Sequence, residues 1–293
     1  MKPFLFTLTC FLSISLFGQS PFEIQLDSIG QTLLNAPTQS QRDAANERLI
    51  RLIEDEADES LFGMQQNYIK SIGVFTSADS LLKVINWAVP TNENGYRYEC
   101  FLLHKNAKGD YKRYKLTDTK YASRDFQSIS ATDYNWPGAL YYHLIQTESK
   151  LQTYYTLLGW DEFDQLTNRK VIEVIWFTKS GLLNIGAAVF KPYNDPIKMR
   201  HVFQYADQNR MQLRYDSLNK RIIFDHLSPS SRSLDGLYEY YGPDFTFDAY
   251  KWDGNYWVLS EHADPDLGLE KSKKDFKINP KIIAKDTVLY NPK

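Results

Sequence analysis

One stretch in the last third of the chain brings together the residue types that serine hydrolases use. The segment IIFDHLSPSSRSLDG, residues 222–236, contains Asp225, His226 and several serines. A catalytic triad needs an aspartate that orients the histidine and a histidine that reaches the serine. Neighbouring residues of a strand point to opposite faces, so Asp225 is badly placed to orient His226, and the chain has no G-x-S-x-G motif. We therefore interpret both residues as structural and predict no catalytic residue.

Paired carboxylates are a second chemistry that the chain offers. Glycoside hydrolases use two carboxylates that the fold brings together from distant parts of the sequence. The acidic residues that suit such a pair are Asp133, Asp161, Asp225, Glu239 and Asp244, and their spacing favours none of them. A hydrolase directed at glycans or peptides, with carboxylates that meet only in the folded protein, therefore remains the alternative function.

The loop WDEFDQLTN, residues 160–168, carries oxygen donors of the kind that bind Ca²⁺. Their spacing does not match an EF-hand loop, which has a central glycine and acidic residues at alternating positions. The histidines are dispersed, and the chain has neither H-E-x-x-H nor C-x-x-C. We predict no metal site and no cofactor, and we interpret the loop as a solvated hairpin connection.

Aromatic residues dominate YEYYGPDFTFDAYKWDGNYW, residues 238–257. Gly242-Pro243-Asp244 predicts a bend that places Tyr240 or Tyr241 beside Asp244. One interpretation is a cross-strand aromatic ladder that stabilises the closing hairpin. The other is a shallow groove for a glycan or a peptide, because Tyr and Trp offer an apolar face with a polar edge. The candidate ligand-binding residues are Trp136, Trp160, Asp161, Asp164, Tyr241, Asp244 and Trp252.

The start of the chain predicts export. Lys2 precedes an apolar run from Pro3 to Phe17, and Gly18-Gln19-Ser20 follows as a small-x-small triplet. This is the pattern of a secretory signal peptide, assigned to residues 1–20. The run is shorter than the roughly 20 residues that span a bilayer, and no later segment comes close, so we predict no transmembrane segment. The protein is predicted to be secreted or periplasmic, with the choice between the two left open.

Charge and cysteine content restrict the partners and the redox chemistry. The formal net charge is −2 at pH 7, with Lys and Arg scattered among Asp and Glu, so we predict no nucleic-acid partner. Cys100 is the single cysteine after the predicted signal peptide and has no internal disulfide partner. His104 is four residues along the same predicted strand, roughly 13 Å away, too far to activate a thiolate. We predict a buried structural thiol at Cys100. The sequence leaves the oligomeric state open.

Residues 21–62 show helical periodicity. Apolar residues recur at helical spacing from Leu26 to Leu34, and Pro37 ends that segment. Thr38 with Gln41 reads as a capping box, and Leu49, Ile50 and Ile53 form one apolar stripe behind it. The pattern predicts two short α-helices that cover an edge or one end of a sheet. A role in binding a partner is the alternative.

From Ile69 to about Glu261 the chain has the period-two alternation of β-strands. Aromatic residues, 15% of the chain, favour the same structure. Asp253-Gly254 is the strongest hairpin signal, because the positive φ angles of a type I′ turn suit these two residues. The predicted strands are Tyr68–Phe75, Leu82–Ala88, Arg97–His104, Tyr111–Leu116, Ala139–Gln146, Leu151–Trp160, Lys170–Phe177, Asn184–Lys191, Arg200–Tyr205, Gln212–Tyr215, Arg221–His226, Phe245–Trp252 and Tyr256–Ser260.

The predicted fold is mainly β, an antiparallel meander preceded by two short α-helices. Regular spacing of the turns leaves three arrangements open: a sandwich, an open barrel or a propeller-like array. The predicted units are the signal peptide 1–20, the helical segment 21–62, the β domain 63–264 and the tail 265–293. The tail is predicted to lie on the surface, and its apolar run Thr287–Tyr290 suits a final edge strand.

Several motifs resemble those of a group of secreted proteins from Gram-negative bacteria that have no assigned function. The likeness covers most of residues 70–260 and rests on SADSLLKVINW, YYTLLGWD, LRYDS, IIFDHLSP and GLYEYYGPDFTFDAYKW. This resemblance implies an exported β-rich protein and gives no residue a chemical role. We therefore predict a non-enzymatic binding or scaffold module for an envelope or extracellular component, with a glycan or peptide ligand.

Overall fold

Three α-helices open the described part of the chain. The computed structural model describes residues 19–92, 95–106, 108–119, 127–191 and 196–264, so most of the predicted signal peptide and the predicted tail lie outside it. The helices are α1 (Pro21–Asn35), α2 (Gln39–Asp55) and α3 (Asp58–Gly63). Two helices were predicted, and the structure has the short α3 as a third. Ser20, the last residue of the predicted signal peptide, caps α1 in a reciprocal capping box with Glu23.

The rest of the fold consists of β-strands, which in chain order alternate with short turns. They are β1 (Gly73–Thr76), β2 (Leu82–Pro90), β3 (Tyr96–Lys105), β4 (Tyr111–Leu116), β5 (Leu140–Glu148), β6 (Thr153–Glu162), β7 (Thr167–Phe177), β8 (Leu183–Ile185), β9 (Phe190–Lys191), β10 (His201–Ala206), β11 (Leu213–Asp216), β12 (Arg221–Pro229), β13 (Tyr241–Trp252) and β14 (Trp257–Ser260). Short 3₁₀ turns occupy Gln66–Tyr68, Arg232–Leu234 and Tyr238–Tyr240.

The strands form three sheets, each built mainly from strands that follow one another in the chain. The first sheet has the order β1-β2-β3-β4, the second β10-β7-β6-β5 with β8 beside β7, and the third β11-β12-β13-β14-β9. All pairings are antiparallel except that of β14 with β9. The prediction of a mainly β antiparallel meander is confirmed, and the described strands do not close into a barrel.

The helices and the three sheets are stacked in four layers, each sharing an apolar core with the next. Alternate residues of β2 point to opposite sides: Ile85 and Trp87 contact the helices, whereas Leu82 and Val84 face the second sheet. The second sheet likewise shares a core with the third. Val174 of the second sheet belongs to the same buried apolar cluster as residues of the third sheet. The helices therefore cover a face of the first sheet, and the prediction that they cover an edge or an end is wrong.

One predicted strand is broken in the structure. Residues 184–191 were predicted as a single strand, but they form part of β8 and then β9. Gly186 lies between them with a φ of 95°, in the left-handed region that favours glycine. A Cβ atom at Gly186 would lie 2.9 Å from a guanidinium nitrogen of Arg200. The break thus makes room for a buried arginine.

Arg200 forms an ion pair inside the protein. Its Nε donates to Oε2 of Glu173 at 2.7 Å, and the two side chains are 1% and 0% exposed. The backbone N–H of Val174 donates to the other carboxylate oxygen, and the carbonyls of Ile129 and Ile185 accept from the guanidinium group. Burial raises the pKa of Glu173 and Arg200 opposes that rise. We take the carboxylate as ionised, because both of its oxygens accept hydrogen bonds and one of the donors is cationic.

We expect Glu173→Gln to lower the free energy of unfolding by about 3 kcal/mol, since it leaves the Arg200 charge buried without its counter-ion. Urea denaturation followed by tryptophan fluorescence measures this loss. Glu54→Gln is the matched control, because Glu54 pairs with Lys115 at 3.4 Å with both side chains over 40% exposed. An exposed pair of this kind contributes less than about 1 kcal/mol. Equal losses in the two variants would contradict the prediction.

Candidate functional site

A cleft of about 520 Å³ opens where the first and second sheets end. It lies among three hairpin turns, which contribute residues 104–106 with 108 and 110, residues 151–153 with 155, and residues 177–181. We call this space the lysine cleft. Turns on a sheet scaffold are common positions for binding residues, because they are free of the hydrogen-bond ladder and of core packing.

Aromatic rings form the floor of the lysine cleft. The His104 and Phe177 rings are stacked with centroids 3.7 Å apart, and Tyr155 meets the edge of Phe177 at 6.2 Å. The Tyr155 hydroxyl donates to the carboxylate of Asp79 at 2.9 Å, which fixes the position of that ring. Burial lowers the pKa of His104 below its usual 6.5, so this ring is neutral at pH 7. Phe177 and Tyr155 are only 6% and 2% exposed. The floor is therefore apolar, and the partly exposed His104 is the ring of the three that a ligand can contact.

Lysines dominate the charged groups around this floor. Lys105, Lys108 and Lys179 line the cleft together with one carboxylate, that of Asp110. The Asn106 amide donates to Asp110 at 3.1 Å, so this carboxylate is engaged in the turn. Hydroxyl and amide groups of Gln152, Thr153, Thr178 and Ser180 complete the lining. Three ammonium groups outnumber the carboxylates of Asp110 and of Asp79, which lies behind the Tyr155 hydroxyl, and this excess makes the cleft attractive to an anion.

A second chemical centre lies on the third sheet around His226. Its Nδ1 lies 2.7 Å from Oδ2 of Asp248, whose Oδ1 accepts the backbone N–H of His262 at 3.1 Å. Partial burial lowers the pKa of His226, but the bond to Asp248 and the charges of Asp248, Asp244 and Glu261 outweigh it and raise the pKa above 6.5. The prediction that Asp225 does not orient His226 agrees with this geometry, in which Asp248 forms the contact.

The strand β13 bulges opposite His226. Asp225 pairs with Phe247 and Leu227 pairs with Pro243, so His226 faces a bulge of residues 244–246. At its centre Phe245 has a φ of 70° and is 93% exposed. The predicted bend at residues 242–244 is wrong, because Gly242 and Pro243 are paired within β13 and the irregularity of the strand begins at Asp244, with Phe245 at its centre. Cross-strand pairing of Gly242 and Pro243 with β12 keeps this segment extended.

Trp136, Trp160 and Trp252 do not line one groove. Trp136 is 0% exposed and its indole donates to the Tyr141 hydroxyl at 2.9 Å, so it is a core residue. The Trp252 ring contacts Tyr154 at the start of β6, whereas Trp160 is near the end of that strand, roughly 20 Å away. The prediction that these three tryptophans line one ligand groove is therefore wrong. Trp252 lies opposite Trp257 in the ladder geometry of the other interpretation.

The acidic candidates and Tyr241 serve local structure. Asp161 is 4% exposed, which removes it from any open ligand site. Asp164 accepts the backbone N–H groups of Leu166 and Thr167 and so closes its turn. The Tyr241 hydroxyl donates to the Asp235 carboxylate, and Asp244 accepts from the Thr246 N–H and hydroxyl groups. Among the described residues no group of three or more His, Cys, Asp or Glu side chains is arranged to hold a metal ion.

Cys100 is buried, as its position in the strand predicted. Its side chain is 0% exposed, between Tyr98 and Leu102 on the face that meets the second sheet. Burial raises the pKa of the Cys100 thiol, with the Glu99 charge acting in the same direction. The thiol is therefore protonated at pH 7, and a thiolate nucleophile is not formed there.

Sequence reasoning missed the lysine cleft and the partner of His226. Part of the signal for the cleft is present in the sequence, since two of the reversals that meet there carry a lysine, Lys108 and Lys179. That signal does not say which turns meet. Asp248 becomes a neighbour of His226 only through the register of β12 on β13.

No helix in the described ranges is long and apolar enough to cross a membrane. Comparison of the chain with models of known protein families, with curated proteins and with solved structures finds no match. The geometry of the two centres therefore carries the functional argument.

The raised pKa of His226 predicts a pH dependence of stability. The folded protein binds the proton more tightly than the unfolded chain, so the contribution of His226 is complete below pH 6.5 and is lost as the pH rises through the folded pKa. We expect the unfolding free energy of the wild type, relative to His226→Gln, to fall between pH 5 and pH 9 in urea titrations.

His143→Gln is the matched control for this measurement. Burial lowers the pKa of His143, so the contribution of that residue is present above pH 6.5 and is lost as the pH falls. The two variants should therefore give slopes of opposite sign. A flat difference for His226→Gln would contradict the role of Asp248.

Proposed function

We propose that this protein is an exported, non-enzymatic binding module that holds an acidic glycan in the lysine cleft. The observation that carries the proposal is the combination of an apolar floor, on which the His104 ring is partly exposed, with three lysines around it. The predicted signal peptide and the resemblance to secreted proteins of Gram-negative bacteria support an envelope or extracellular ligand. The family likeness adds no information about the ligand itself.

The floor suits a sugar ring. The His104 ring packs on Phe177 and remains partly exposed, and an accessible aromatic ring of this kind can contact the C–H face of a sugar while the hydroxyls of the sugar point outward. The cleft volume of about 520 Å³ lies within the range of small-molecule sites. Side chains of Thr153 and Ser180 line the same space and supply hydrogen-bonding groups.

The lysines favour an acidic sugar over a neutral one. Each ammonium is a compact charge on a flexible stem, so Lys108 and Lys179 can adjust to a carboxylate or a sulfate group on the ring. Both side chains belong to exposed residues, and salt screens such charges strongly. Binding is therefore expected to weaken as the ionic strength rises.

Calorimetric titration with an oligogalacturonate and with a neutral malto-oligosaccharide of equal length tests the proposal. We expect heat of binding with the acidic oligosaccharide alone. The double variant Lys108→Gln/Lys179→Gln should weaken this binding by about tenfold, since each exposed charge contributes up to about 1 kcal/mol.

Lys251→Gln is the matched control, because Lys251 is an exposed lysine of β13 outside the lysine cleft. It should bind the oligogalacturonate like the wild type. Equal binding of the neutral sugar, or equal loss in the control variant, would refute an acidic glycan as the ligand.

An exported hydrolase is the second candidate, and one observation favours it. Burial and the neighbouring charge of Asp244 raise the pKa of Asp225, while hydrogen bonds from Thr246 help to lower the pKa of Asp244 against its partial burial. Carboxylates with pKa values pushed apart are typical of acid and base pairs in glycosidases. Asp225 is, however, 6% exposed and accepts the Gln212 N–H at 2.7 Å, as a structural carboxylate does.

A reducing-end assay on the same oligosaccharides separates the two functions. We expect no release of reducing sugar by the wild type over a prolonged incubation. Release that disappears in Asp225→Asn, with folding verified by circular dichroism, would favour the hydrolase instead.

A further inference from the structure

Three exposed leucines lie at the tips of three hairpin turns. Leu151 is 89% exposed in the turn between β5 and β6, Leu182 is 58% exposed in the turn between β7 and β8, and Leu218 is 68% exposed in the turn between β11 and β12. Single exposed leucines are common on folded proteins and need no function. These three differ from single cases, because their turns leave the same end of the stacked sheets.

Hydrogen bonds hold the first two turns side by side at the end of β7. The side-chain amide of Gln152 donates to the Phe177 carbonyl at 3.1 Å. The Thr178 N–H donates to the Leu182 carbonyl at 2.9 Å. Leu151 precedes Gln152, so Leu151 and Leu182 flank the end of one strand. Neighbouring strands are about 4.8 Å apart, which puts the backbones of the two leucines roughly 10 Å from each other.

Trp252 connects the third turn to the same end. The turn that contains Leu218 ends where β12 begins, at Arg221, and Arg221 pairs with Lys251 of β13. Trp252 is the next residue of β13, and its indole donates at 3.0 Å to the carbonyl of Glu148, where β5 ends. The turn after β5 and the turn before β12 are therefore neighbours.

Each of the three leucines has an exposed lysine within three residues of it in the chain: Lys150 precedes Leu151, Lys179 precedes Leu182, and Lys220 follows Leu218. Within the described part of the chain, none of these lysines forms an ion pair. The carboxylates at this end accept hydrogen bonds from residues close to them in the chain, and they are Asp79, Asp110, Glu148 and Asp253. The lysines are therefore the charged groups that are available to pair with a partner.

A lipid surface suits this arrangement better than a folded protein does. The leucines stand on separate tips and do not line one groove, so a folded partner would need three separate pockets. The acyl layer of a bilayer is fluid and accepts separate aliphatic side chains without a fixed shape. A lysine beside each leucine can keep its ammonium group among the lipid head groups while its stem lies along apolar surface.

We propose that this end of the protein docks on an anionic lipid surface. Leu151, Leu182 and Leu218 insert between the head groups, and Lys150 and Lys220 pair with the lipid phosphates. The proposal does not rest on the proposed function, since Leu182, Leu218 and these two lysines do not line the lysine cleft. The cleft opens at the same end, so docking would present it to the head groups of that surface.

Co-sedimentation with vesicles tests the proposal. The processed protein is used, because the apolar run of residues 3–17 would bind lipid by itself. One vesicle contains phosphatidylcholine with phosphatidylglycerol, and the other contains phosphatidylcholine alone. We expect binding to the anionic vesicle alone, with an affinity that falls as salt is added. Leu182→Ser/Leu218→Ser should weaken this binding at least tenfold, because two leucine side chains then no longer leave water for the acyl layer.

Leu166→Ser is the matched control for the leucine variant. Leu166 is 63% exposed in the turn between β6 and β7, which leaves the opposite end of the second sheet. This control should bind the anionic vesicles like the wild type.

Lys150→Gln/Lys220→Gln tests the charges. It should weaken vesicle binding about tenfold, since each lysine near an anionic membrane raises the affinity several-fold. Lys70→Gln is the control, because Lys70 is an exposed lysine that lies before β1, away from the three turns. Its binding should equal that of the wild type.

The outcomes separate this proposal from the proposed function. Both double variants should bind the oligogalacturonate like the wild type, because their residues do not line the lysine cleft. Absence of binding to anionic vesicles, equal binding to neutral vesicles, or wild-type binding by Leu182→Ser/Leu218→Ser would overturn the proposal. Self-association without vesicles that the leucine variant abolishes would also overturn it, because a second copy of the chain would then cover the leucines.

Discussion

The burial of both faces of the second sheet is the constraint on which the rest of the structure depends. Neighbouring residues of β6 point to opposite sides, so Leu157 belongs to the core shared with the first sheet and Leu158 to the core shared with the third. Each fully buried aliphatic side chain of this kind contributes roughly 1.5–3 kcal/mol. The second sheet thus holds the other two in place, and both chemical centres depend on that stacking.

The same dry interior explains the geometry of the buried ion pair. Glu173 lies on β7 and Arg200 directly precedes β10, so their contact links the outer strand of the second sheet to its neighbour. A charge pair between apolar layers gains little over an apolar pair of equal size. The ion pair instead favours one backbone arrangement over others, because the Arg200 side chain fits only where Gly186 has no Cβ atom.

The candidate functional residues lie at the ends of the sheets and at the bulge of β13, because side chains at these positions do not have to pack in the core. The turn residues Lys108 and Lys179 meet at the lysine cleft, and the bulge residue Phe245 leaves the strand ladder altogether. The lysine cleft is lined mainly by lysines, whereas Asp244, Asp248 and Glu261 lie around His226.

Local periodicity determined most of the strands from the sequence alone: β4 occupies Tyr111–Leu116 as predicted. The reversal predicted at Asp253-Gly254 joins β13 to β14, but as a turn of residues 253–256 in which Gly254 has a positive φ and Asp253 does not, so the predicted two-residue type I′ turn is wrong. These features depend on residues close in the chain. Only the tertiary structure decided that Trp136 is buried, that Asp248 contacts His226, and which lysine turns converge. Each of these depends on strand register or on how sheets stack, and sequence spacing carries no measure of the distance between separate sheets.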